Sequence, residues 1–422
     1  MKQVILIYPQ PVVLKNYFAE KISYSTPPLG LGYLASAIRN KGFSVSIIDV
    51  GPERLSIKDI LNEIETQQAK VIGISSFISN YGNGIKIAKQ IKEQFPDIKI
   101  IMGGPHASFI PEEVLNSGYI DVVSMFEGEE TVPLLVDAFI NKKPIDDILG
   151  ISYTKDGKFT STPPRPLIED INTIDSPAWD LFKMDRYNFP GSILTGRGCP
   201  YKCIFCAASV ISGARYRMRS AKNVVDEIEF LNKKYNITYF VFIDDTFTAE
   251  EKHCVEICRE IRNRNLKIKW AAETRANTVN DFVVSEMVKA GCIHAGKNIT
   301  VQTIDKAVKT LLAHGVLVTC SFIIGNPEDT KETIDKTIKL ALKHKKSSIN
   351  DSASSTFSLL TPLPGTPVYM NKEKLGIQLT TGNWDNFTFY DPIIETKYLN
   401  KRELQNHYAR AWMSYNSGVT VE

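Results

Sequence analysis

The chain has 422 residues, of which 43% are hydrophobic and 23% are charged, a balance typical of a soluble protein with two or three domains. Its 50 basic and 47 acidic residues leave a net charge of +3, which argues against nucleic acid or an anionic membrane surface as the main partner. No apolar run approaches the length of about 18 residues that a membrane span needs, and the apolar start is too short for a signal peptide. We therefore expect a cytoplasmic protein with no membrane span.

The first part of the chain alternates short runs of β-branched residues with amphipathic helical patterns. This alternation predicts a parallel, doubly wound α/β sheet of the flavodoxin-like kind in residues 1–141. The predicted strands are residues 4–8, 44–49, 71–75, 98–102 and 121–126. The predicted helices are residues 29–40, 57–66, 85–94, 111–116 and 131–141.

Residues 142–190 are predicted to be a linker, because their prolines argue against a continuous helix. A second βα series follows in residues 191–370 and predicts a full or partial α/β barrel. Its strands are expected at residues 193–195, 239–243, 268–272, 318–324 and 356–360. Its helices are expected at residues 221–235, 249–264, 280–290, 300–313 and 330–343. The aromatic-rich tail, residues 371–422, is predicted to be a small subdomain that packs on the barrel.

Ligands of parallel α/β sheets bind at the carboxyl ends of the strands. In the first domain these ends supply polar and glycine residues, namely Asp49, Ser75, Ser76, Gly103, Gly104, Pro105, His106, Glu127 and Gly128. A glycine pair such as Gly103-Gly104 lets the backbone approach a ligand closely, although it also serves as a tight turn between strand and helix. Both interpretations remain open for the glycine pair.

Three of the seven cysteines lie together as Cys199, Cys203 and Cys206, directly after a predicted strand. Cytoplasmic cysteines bind metals or act in catalysis more often than they form disulfides, and closely spaced thiolates are the usual ligands of iron–sulfur clusters. Three thiolates for four irons leave one iron open to a small chelating ligand, such as the amino and carboxylate groups of a methionine. Zinc is the main rival, but it normally takes four ligands, and the nearest histidine, His253, is far along the chain.

The spacing Cys-x3-Cys-x2-Cys, with the aromatic Phe205 before the last cysteine, resembles the signature of the radical S-adenosylmethionine (SAM) superfamily. Further motifs are similar to the cobalamin-binding branch of that superfamily: Gly-Gly-Pro-His at 103–106, Phe-Glu-Gly-Glu-Glu-Thr at 126–131 and Pro-Pro-Leu-Gly-Leu-Gly-Tyr-Leu at 27–34. That branch includes radical methyltransferases of phosphonates, hopanoids and antibiotic precursors, and a ring cyclase of bacteriochlorophyll synthesis. The resemblance covers nearly the whole chain.

The resemblance implies three cofactors: a [4Fe–4S] cluster on Cys199, Cys203 and Cys206, SAM, and cobalamin at the strand ends of the first domain. Phe205 would lie beside the adenine of SAM, and other residues would line the SAM pocket, namely Asp244, Asp245, Glu273, Arg275 and Ser321. For this second group a structural role competes, because the two aspartates could cap a helix and Ser321 could be a core residue.

The implied reaction is methylation of an unactivated carbon or phosphorus of a small-molecule substrate, with an electron donor such as flavodoxin or ferredoxin. The implied radical chemistry starts with reductive cleavage of SAM, and methylcobalamin then delivers the methyl group. Cyclisation or rearrangement with cobalamin in another role is the enzymatic alternative. A methylthiotransferase is disfavoured, because such enzymes carry a second cysteine triad in the first domain, and no cysteine precedes Cys199.

Two departures from the branch stand out. The Asp-x-His-x-x-Gly motif that supplies a cobalt ligand elsewhere is absent, because residues 49–53 read Asp-Val-Gly-Pro-Glu, so cobalamin would bind without a protein histidine. The resemblance does not make His106 a cobalt ligand. The strand with a Gly-Ile-Glu-Ser-Gly-like motif also has no counterpart, since only about nine residues separate the predicted helices around residue 295. We therefore expect a shortened barrel, and an inactive cluster- or cobalamin-binding paralogue stays open as an alternative.

Overall fold

The computed structural model describes residues 3–12, 26–296, 301–347 and 352–418. The chain divides into two compact units, Met1–Pro190 and Gly191–Glu422. Within the described ranges, no helix combines the length and the apolar character that crossing a lipid bilayer requires.

The first unit is built on a seven-stranded sheet with the order β2-β1-β3-β4-β5-β6-β7. Its strands are β1 (Val4–Tyr8), β2 (Val45–Asp49), β3 (Val71–Ser75), β4 (Lys99–Gly103), β5 (Val122–Ser124), β6 (Ile151–Lys155) and β7 (Lys158–Ser161). The first five strands are parallel, and their order 2-1-3-4-5 is that of flavodoxin-like sheets. The predicted fold class is therefore confirmed for this unit.

Helices connect the parallel strands of this unit and bury one apolar stripe each. They are α1 (Leu29–Asn40), α2 (Val50–Glu53), α3 (Ile57–Gln67), α4 (Tyr81–Gln94), α5 (Pro105–Phe109), α6 (Pro111–Asn116) and α7 (Thr131–Ile140). Ser56 begins α3 with a capping box, in which its hydroxyl accepts from the Asp59 amide and the Asp59 carboxylate accepts from the Ser56 amide. This capping box is a local sequence signal for the start of α3.

The segment from residue 142 to residue 190 contains the two antiparallel strands β6 and β7. Strand β6 pairs with β5 and β7 pairs with β6, so the segment extends the sheet of the first unit. Beyond β7 the described chain forms three short 3₁₀ turns, at Ile171–Thr173, Trp179–Leu181 and Met184–Arg186. The predicted absence of a continuous helix here agrees with these elements.

The second unit contains a six-stranded parallel sheet with the order β15-β14-β13-β12-β11-β8. Its strands are β8 (Gly191–Ile193), β11 (Tyr239–Phe242), β12 (Lys269–Glu273), β13 (Cys292–Gly296), β14 (Leu317–Ile324) and β15 (Ala353–Leu359). Two small antiparallel pairs flank it, formed by β9 (Gly196–Arg197), β10 (Arg217–Met218), β16 (Gln378–Leu379) and β17 (Ile394–Glu395). This open parallel sheet is the predicted partial α/β barrel.

The helices of the second unit are α8 (Ala208–Ile211), α9 (Ala221–Tyr235), α10 (Glu251–Asn263), α11 (Asp281–Lys289), α12 (Val301–Ala313), α13 (Lys331–Ser347), α14 (Pro367–Met370) and α15 (Lys401–Ser417). Ser220 caps α9, because its hydroxyl accepts from the Asn223 amide at 3.2 Å. Cys254 and Cys258 are fully buried in α10, in agreement with the core positions that their helical spacing indicates.

The expectation of a missing strand was wrong, because β13 occupies the centre of the sheet. It pairs with β12 on one side and with β14 on the other. Gly296 fits only as glycine, since a Cβ there would lie 2.4 Å from the Thr319 carbonyl oxygen. The strand escaped the sequence pattern because it is short, holds a histidine and a glycine, and pairs irregularly between Trp270 and Ala271. Residues 297–300, where the connection to α12 is short, lie outside the described residues.

Candidate functional site

The loop that carries the three cysteines begins at the carboxyl end of β8. Gly198 has a φ of +92°, and a Cβ there would lie 2.3 Å from the Arg215 carbonyl oxygen, so this turn requires glycine. Cys199 is buried and Cys203 and Cys206 are half-buried. The Cys206 amide donates to the Cys203 carbonyl at 3.1 Å, which closes a tight turn between the last two thiols.

The surroundings of the thiols suit thiolate ligands. The Sγ of Cys199 lies 3.6 Å from the Thr246 hydroxyl, and the Sγ of Cys203 lies 3.2 Å from Nη1 of Arg275. Among the residues that the structure describes, no three His, Cys, Asp or Glu side chains converge on one position for a single metal ion. A cluster does not require such convergence, because each thiolate binds a different iron. Three cysteines on one strand-end loop, two of them half-exposed, fit a cluster with one open iron.

Asp244 anchors the start of the cysteine loop. It follows β11, is 2% exposed, and accepts hydrogen bonds from the Thr195 amide (3.0 Å), the Thr195 hydroxyl (2.8 Å), the Gly196 amide (2.7 Å) and the Tyr216 hydroxyl (3.0 Å). Burial raises the pKa of this carboxyl to about 6, and the four donors oppose that shift. Asp244 therefore holds the strand end from which the cysteines project, and it does not cap the following helix.

The other residues predicted for the SAM pocket lie in different surroundings. Phe205 is 37% exposed on the cysteine loop. Asp245 is half-buried, and Glu273 is exposed at the end of β12. Arg275 contacts Cys203 directly, whereas Ser321 lies in the middle of β14 and accepts from the Thr356 hydroxyl at 3.2 Å. The structure thus brings Arg275 to the triad and places Ser321 on the open face of the sheet.

The two faces of β14 and β15 differ in chemistry. One face is apolar and packs on helices: the ring of Phe357, for example, lies 5.7 Å from that of Trp412 in α15. The opposite face, here called the hydroxyl face, is half-buried or exposed. It carries the apolar Ile323 and the polar residues Thr319, Ser321, Ser354, Thr356 and Ser358, with His294 on the neighbouring β13. Oγ1 of Thr319 lies 2.8 Å from Nε2 of His294 and 2.8 Å from Oγ of Ser354. Barrel interiors are usually filled by branched apolar side chains, so this face stands out.

Two strand-end loops of the first unit, those after β3 and β4, interlock through their backbones. The Ser76 amide donates to the Gly103 carbonyl at 2.7 Å, and the His106 amide donates to the Ser76 carbonyl at 3.1 Å. Gly104 has a φ of +102°, and a Cβ there would lie 2.7 Å from the Ser76 carbonyl oxygen. The glycine pair therefore serves the tight packing of these loops, and Pro105 starts the short helix α5 directly after it.

Two buried hydroxyls at this edge have no hydrogen-bond partner among the residues that the structure describes. They are Oγ of Ser76, after β3, and Oγ of Ser124, at the end of β5. Buried polar atoms without partners are rare in folded proteins and mark places where a ligand or ordered water completes the site. Sequence reasoning missed Ser124, although a hydroxyl at the end of a predicted strand was the available signal. The orphaned hydroxyls beside the glycine pair fit the polar tail of a bound cofactor.

Phe126 shows backbone strain at the same edge. Its φ is +58°, a value that side chains rarely adopt, and its ring is 38% exposed. The strained backbone is held in place because the Phe126 amide donates to the Ser108 hydroxyl at 2.8 Å. Strain of this kind concentrates at functional sites.

Asp49, His106 and Glu127 are engaged within the fold. Oδ2 of Asp49 accepts from the Tyr187 hydroxyl at 2.9 Å, and burial raises the pKa of the Asp49 carboxyl to about 7. Burial lowers the pKa of His106 to about 4, and its ring packs edge-on against Tyr81 at 4.8 Å. The Glu127 carboxylate accepts from the Ile168 amide at 2.9 Å. These three side chains therefore stabilise the loops around the strand ends.

Ser75 and Gly128 complete the predicted set at these strand ends. Ser75 is half-buried and pairs with Gly103 in the parallel register of β3 and β4. A Cβ at Gly128 would lie 2.9 Å from a methyl group of Leu34, so the loop after β5 packs closely on α1.

Comparison with known proteins assigns both units. Residues 17–136 match the model of the B12 binding domain, and residues 193–341 match that of the radical SAM superfamily. An uncharacterized methyltransferase of Pyrococcus horikoshii is 34% identical, over 98% of this chain and 92% of the relative. The anaerobic magnesium-protoporphyrin IX monomethyl ester cyclase of Rubrivivax gelatinosus is 27% identical, over 98% of this chain and 78% of the relative.

Solved structures share the fold of the whole chain. The radical SAM methyltransferase TsrM of Kitasatospora setae, solved with cobalamin and a [4Fe–4S] cluster, has a TM-score of 0.73 at 18% identity and covers 100% of this chain and 83% of its own. The cobalamin-dependent radical SAM enzyme OxsB, solved with aqua-cobalamin and SAM, has a TM-score of 0.76 at 17% identity and covers 98% of this chain and 66% of its own. The chain belongs to the cobalamin-binding branch of the radical SAM superfamily. Its cofactors are those of the branch: a [4Fe–4S] cluster, SAM and cobalamin.

Proposed function

We propose that this protein is a cobalamin-dependent radical SAM methyltransferase, which transfers a methyl group to an unactivated carbon or phosphorus of a small molecule. The observation that carries the proposal is the loop of Cys199, Cys203 and Cys206 at the end of β8, in a chain that also contains the doubly wound sheet of a B12 binding domain. We assign cobalamin to residues 1–141 and the cluster and SAM to residues 191–370. Flavodoxin or ferredoxin would supply the electrons.

When bound, the cluster supplies the electron that cleaves SAM, and cobalamin supplies the methyl group. The residues of the chain position these groups. Asp244 fixes the backbone of Thr195 and Gly196 and so the direction in which the cysteine loop leaves the sheet. Phe205, which is 37% exposed on the same loop, would contact SAM when SAM is bound to the cluster.

The methyltransferase proposal is supported by relatives whose names state that reaction. The cytidylyl-2-hydroxyethylphosphonate methyltransferase of Streptomyces wedmorensis is 26% identical, over 75% of this chain and 73% of the relative. The cyclase relative supports the alternative that this protein closes a ring instead. The strand that was expected to be missing is present as β13, so an inactive paralogue is motivated only by the absence of the glutamate of the Gly-Ile-Glu-Ser-Gly-like motif.

The hydroxyl face supports a substrate with several hydrogen-bonding groups. Thr319, Ser354 and Thr356 each contribute a hydroxyl to this face, and Nε2 of His294 contacts the hydroxyl of Thr319. These groups already hydrogen-bond to one another, but each hydroxyl can make a further hydrogen bond, which water or a polar substrate can supply and a wholly apolar substrate cannot. We therefore place the substrate among polar small molecules.

Anaerobic reconstitution with iron, sulfide and cobalamin tests the proposal. Incubation with SAM, a strong reductant and candidate polar substrates should yield both 5′-deoxyadenosine and S-adenosylhomocysteine, because cleavage and methyl transfer each consume SAM. Formation of 5′-deoxyadenosine with a cyclised product and no S-adenosylhomocysteine would favour the cyclase alternative. A fully loaded protein that cleaves no SAM would support an inactive paralogue and refute the proposal.

A further inference from the structure

Arg275 lies against a cysteine of the triad. Its Nη1 is 3.2 Å from the Sγ of Cys203, and its Cζ is 4.2 Å from the centre of the Tyr201 ring. The guanidinium group therefore bridges two residues of the same loop, one through an N–H···S hydrogen bond and the other through a cation–π contact. Arg275 itself belongs to a different segment, directly after β12.

Hydrogen bonds hold the backbone of Arg275 in place, and this limits the positions that its side chain can take beside Cys203. A 3₁₀ turn, Ala276–Thr278, follows it. The Thr278 amide and hydroxyl both donate to the Arg275 carbonyl, at 2.8 Å and 2.7 Å. The Thr278 hydroxyl also lies 2.5 Å from that of Thr248, which ties this turn to the segment after β11. Two strand ends thus hold the guanidinium group against the cysteine loop.

We propose that Arg275 tunes the reduction potential of the cluster by donating a hydrogen bond to the Cys203 thiolate, and this inference rests on the proposed function. One-electron reduction adds a negative charge to the cluster and to its sulfur ligands. A fixed positive charge and an N–H donor at one ligand stabilise the reduced form more than the oxidised form. Arg275 is therefore a positioning and tuning residue, which makes the first step of SAM cleavage easier.

A contact with the SAM carboxylate is the competing role for Arg275. The two roles differ in a measurable way, because a residue that only binds SAM leaves the potential of the SAM-free cluster unchanged. The potential must therefore be measured without SAM, and the affinity for SAM must be measured separately.

The experiment compares wild type, Arg275→Gln, Arg275→Lys and Lys202→Gln after anaerobic reconstitution. Lys202→Gln is the matched control, because it removes one positive charge from an exposed side chain of the same loop. Iron and sulfide content are determined first, and the SAM-free cluster is then titrated with dithionite at set potentials, with the reduced form followed by electron paramagnetic resonance.

At a fixed potential, we expect Arg275→Gln to lower the ratio of reduced to oxidised cluster by about tenfold, which corresponds to roughly 59 mV for one electron. Arg275→Lys should show a smaller loss because it keeps the charge, and Lys202→Gln should stay near wild type because solvent screens the exposed charge. If both Arg275 variants hold a full cluster with the wild-type potential, the tuning role is refuted while the proposed function stands. If the wild type itself holds no cluster, both the inference and the proposed function fail.

Discussion

The two sheets hold their strand-end loops in different ways. In the first unit, the loops after β3 and β4 interlock through backbone groups and a glycine, around Ser76 and Gly104. In the second unit, one buried side chain, Asp244, holds the loop after β8, and the functional groups of that loop are thiols. The first edge is therefore shaped by close packing of its loops on one another, whereas in the second a buried side chain holds a loop that presents thiols.

Two buried aspartates, one in each unit, also differ in their hydrogen bonds. Asp49 and Asp244 each follow a parallel strand, but Asp49 receives one side-chain hydrogen bond, from Tyr187, whereas Asp244 receives four hydrogen bonds in all. Burial raises the pKa of Asp49 to about 7 and that of Asp244 to about 6. The nearby Glu53 charge adds to the rise for Asp49, whereas for Asp244 four hydrogen-bond donors oppose the effect of burial.

The largest effect is expected for Cys203→Ala. The variant should lose the [4Fe–4S] cluster, because two thiolates do not hold it stably, and reductive cleavage of SAM should stop. Iron and sulfide analysis with absorption spectroscopy measures this loss. Cys258→Ala is the control, since it removes a buried thiol of α10 outside the loop. A full cluster in Cys203→Ala would contradict the assignment of the triad.

Asp244→Ala should come next. It leaves the Thr195 amide, the Gly196 amide and the Tyr216 hydroxyl without their buried acceptor, so we expect a loss of about 3 kcal/mol or more in the free energy of unfolding and reduced iron content. Tyr216→Phe removes a single donor and should cost about 1 kcal/mol. Denaturant unfolding and iron analysis check both values. Equal stability of Asp244→Ala and wild type would show that Asp244 does not anchor the loop.

Gly104→Ala tests the close packing of the first unit. The new Cβ would meet the Ser76 carbonyl oxygen at a φ that only glycine adopts easily, so we expect a loss of stability of about 2 kcal/mol and weaker cobalamin binding. Gly30→Ala is the control, because no atom lies within 4 Å of its added Cβ on α1, and it should stabilise the helix slightly. Cobalamin affinity equal to wild type in Gly104→Ala would separate this loop from the cofactor site.

Asp49→Asn predicts a dependence of stability on pH. Because the folded pKa of Asp49 lies above its ordinary value of 3.8, the folded state binds the proton more tightly, and the contribution of Asp49 to stability falls as pH rises from about 4 to about 7. Asparagine carries no charge at any pH and can still accept from Tyr187. The variant should therefore gain up to about 4 kcal/mol relative to wild type between pH 4 and pH 8. Denaturant unfolding of both proteins at pH 4 and pH 8 measures this gain. An equal difference in unfolding free energy between the variant and wild type at the two pH values would contradict the raised pKa.

The smallest change is expected for Ser124→Ala. Its hydroxyl has no partner in the structure, so removal should leave the stability within about 0.5 kcal/mol of wild type. Cobalamin affinity should fall several-fold, because one hydrogen bond contributes about 0.5–1.5 kcal/mol. Absorption titration with cobalamin measures this loss. Ser36→Ala is the control for binding, because it removes a half-buried hydroxyl of α1 that donates to the Ser176 carbonyl. An unchanged affinity would remove Ser124 from the site.

Local patterns predicted most of the fold. Runs such as Val71–Ser75 and helices such as Ala221–Tyr235 lie where the periodicity placed them, because each element carries its own apolar pattern. Strand β13 was missed, because its stability comes from the neighbours β12 and β14 and not from its own composition. Strands β6 and β7 were missed for the same reason, since a short antiparallel pair depends on the sheet edge that it extends.

Only those parts of the candidate site that lie close together in the sequence were predictable. The triad could be read from three cysteines within one short loop. The partners of Asp244 and Arg275 could not, because Thr195 and Cys203 are brought to them by the fold from distant positions in the sequence. Sequence placed both residues at strand ends, and the structure gave them contacts with the cysteine loop itself.

The C-terminal tail has a consequence for how the protein behaves in concentrated solution. Strand β15 is an edge strand of the parallel sheet, and such edges invite pairing with another chain. Here the Ser355 amide donates to the Tyr415 hydroxyl at 2.8 Å, and the Leu359 amide donates to the Phe389 carbonyl at 2.8 Å. The tail thus occupies two outward backbone donors of the edge strand. We expect a protein shortened before residue 384 to expose these donors and to aggregate through intermolecular β-sheet pairing.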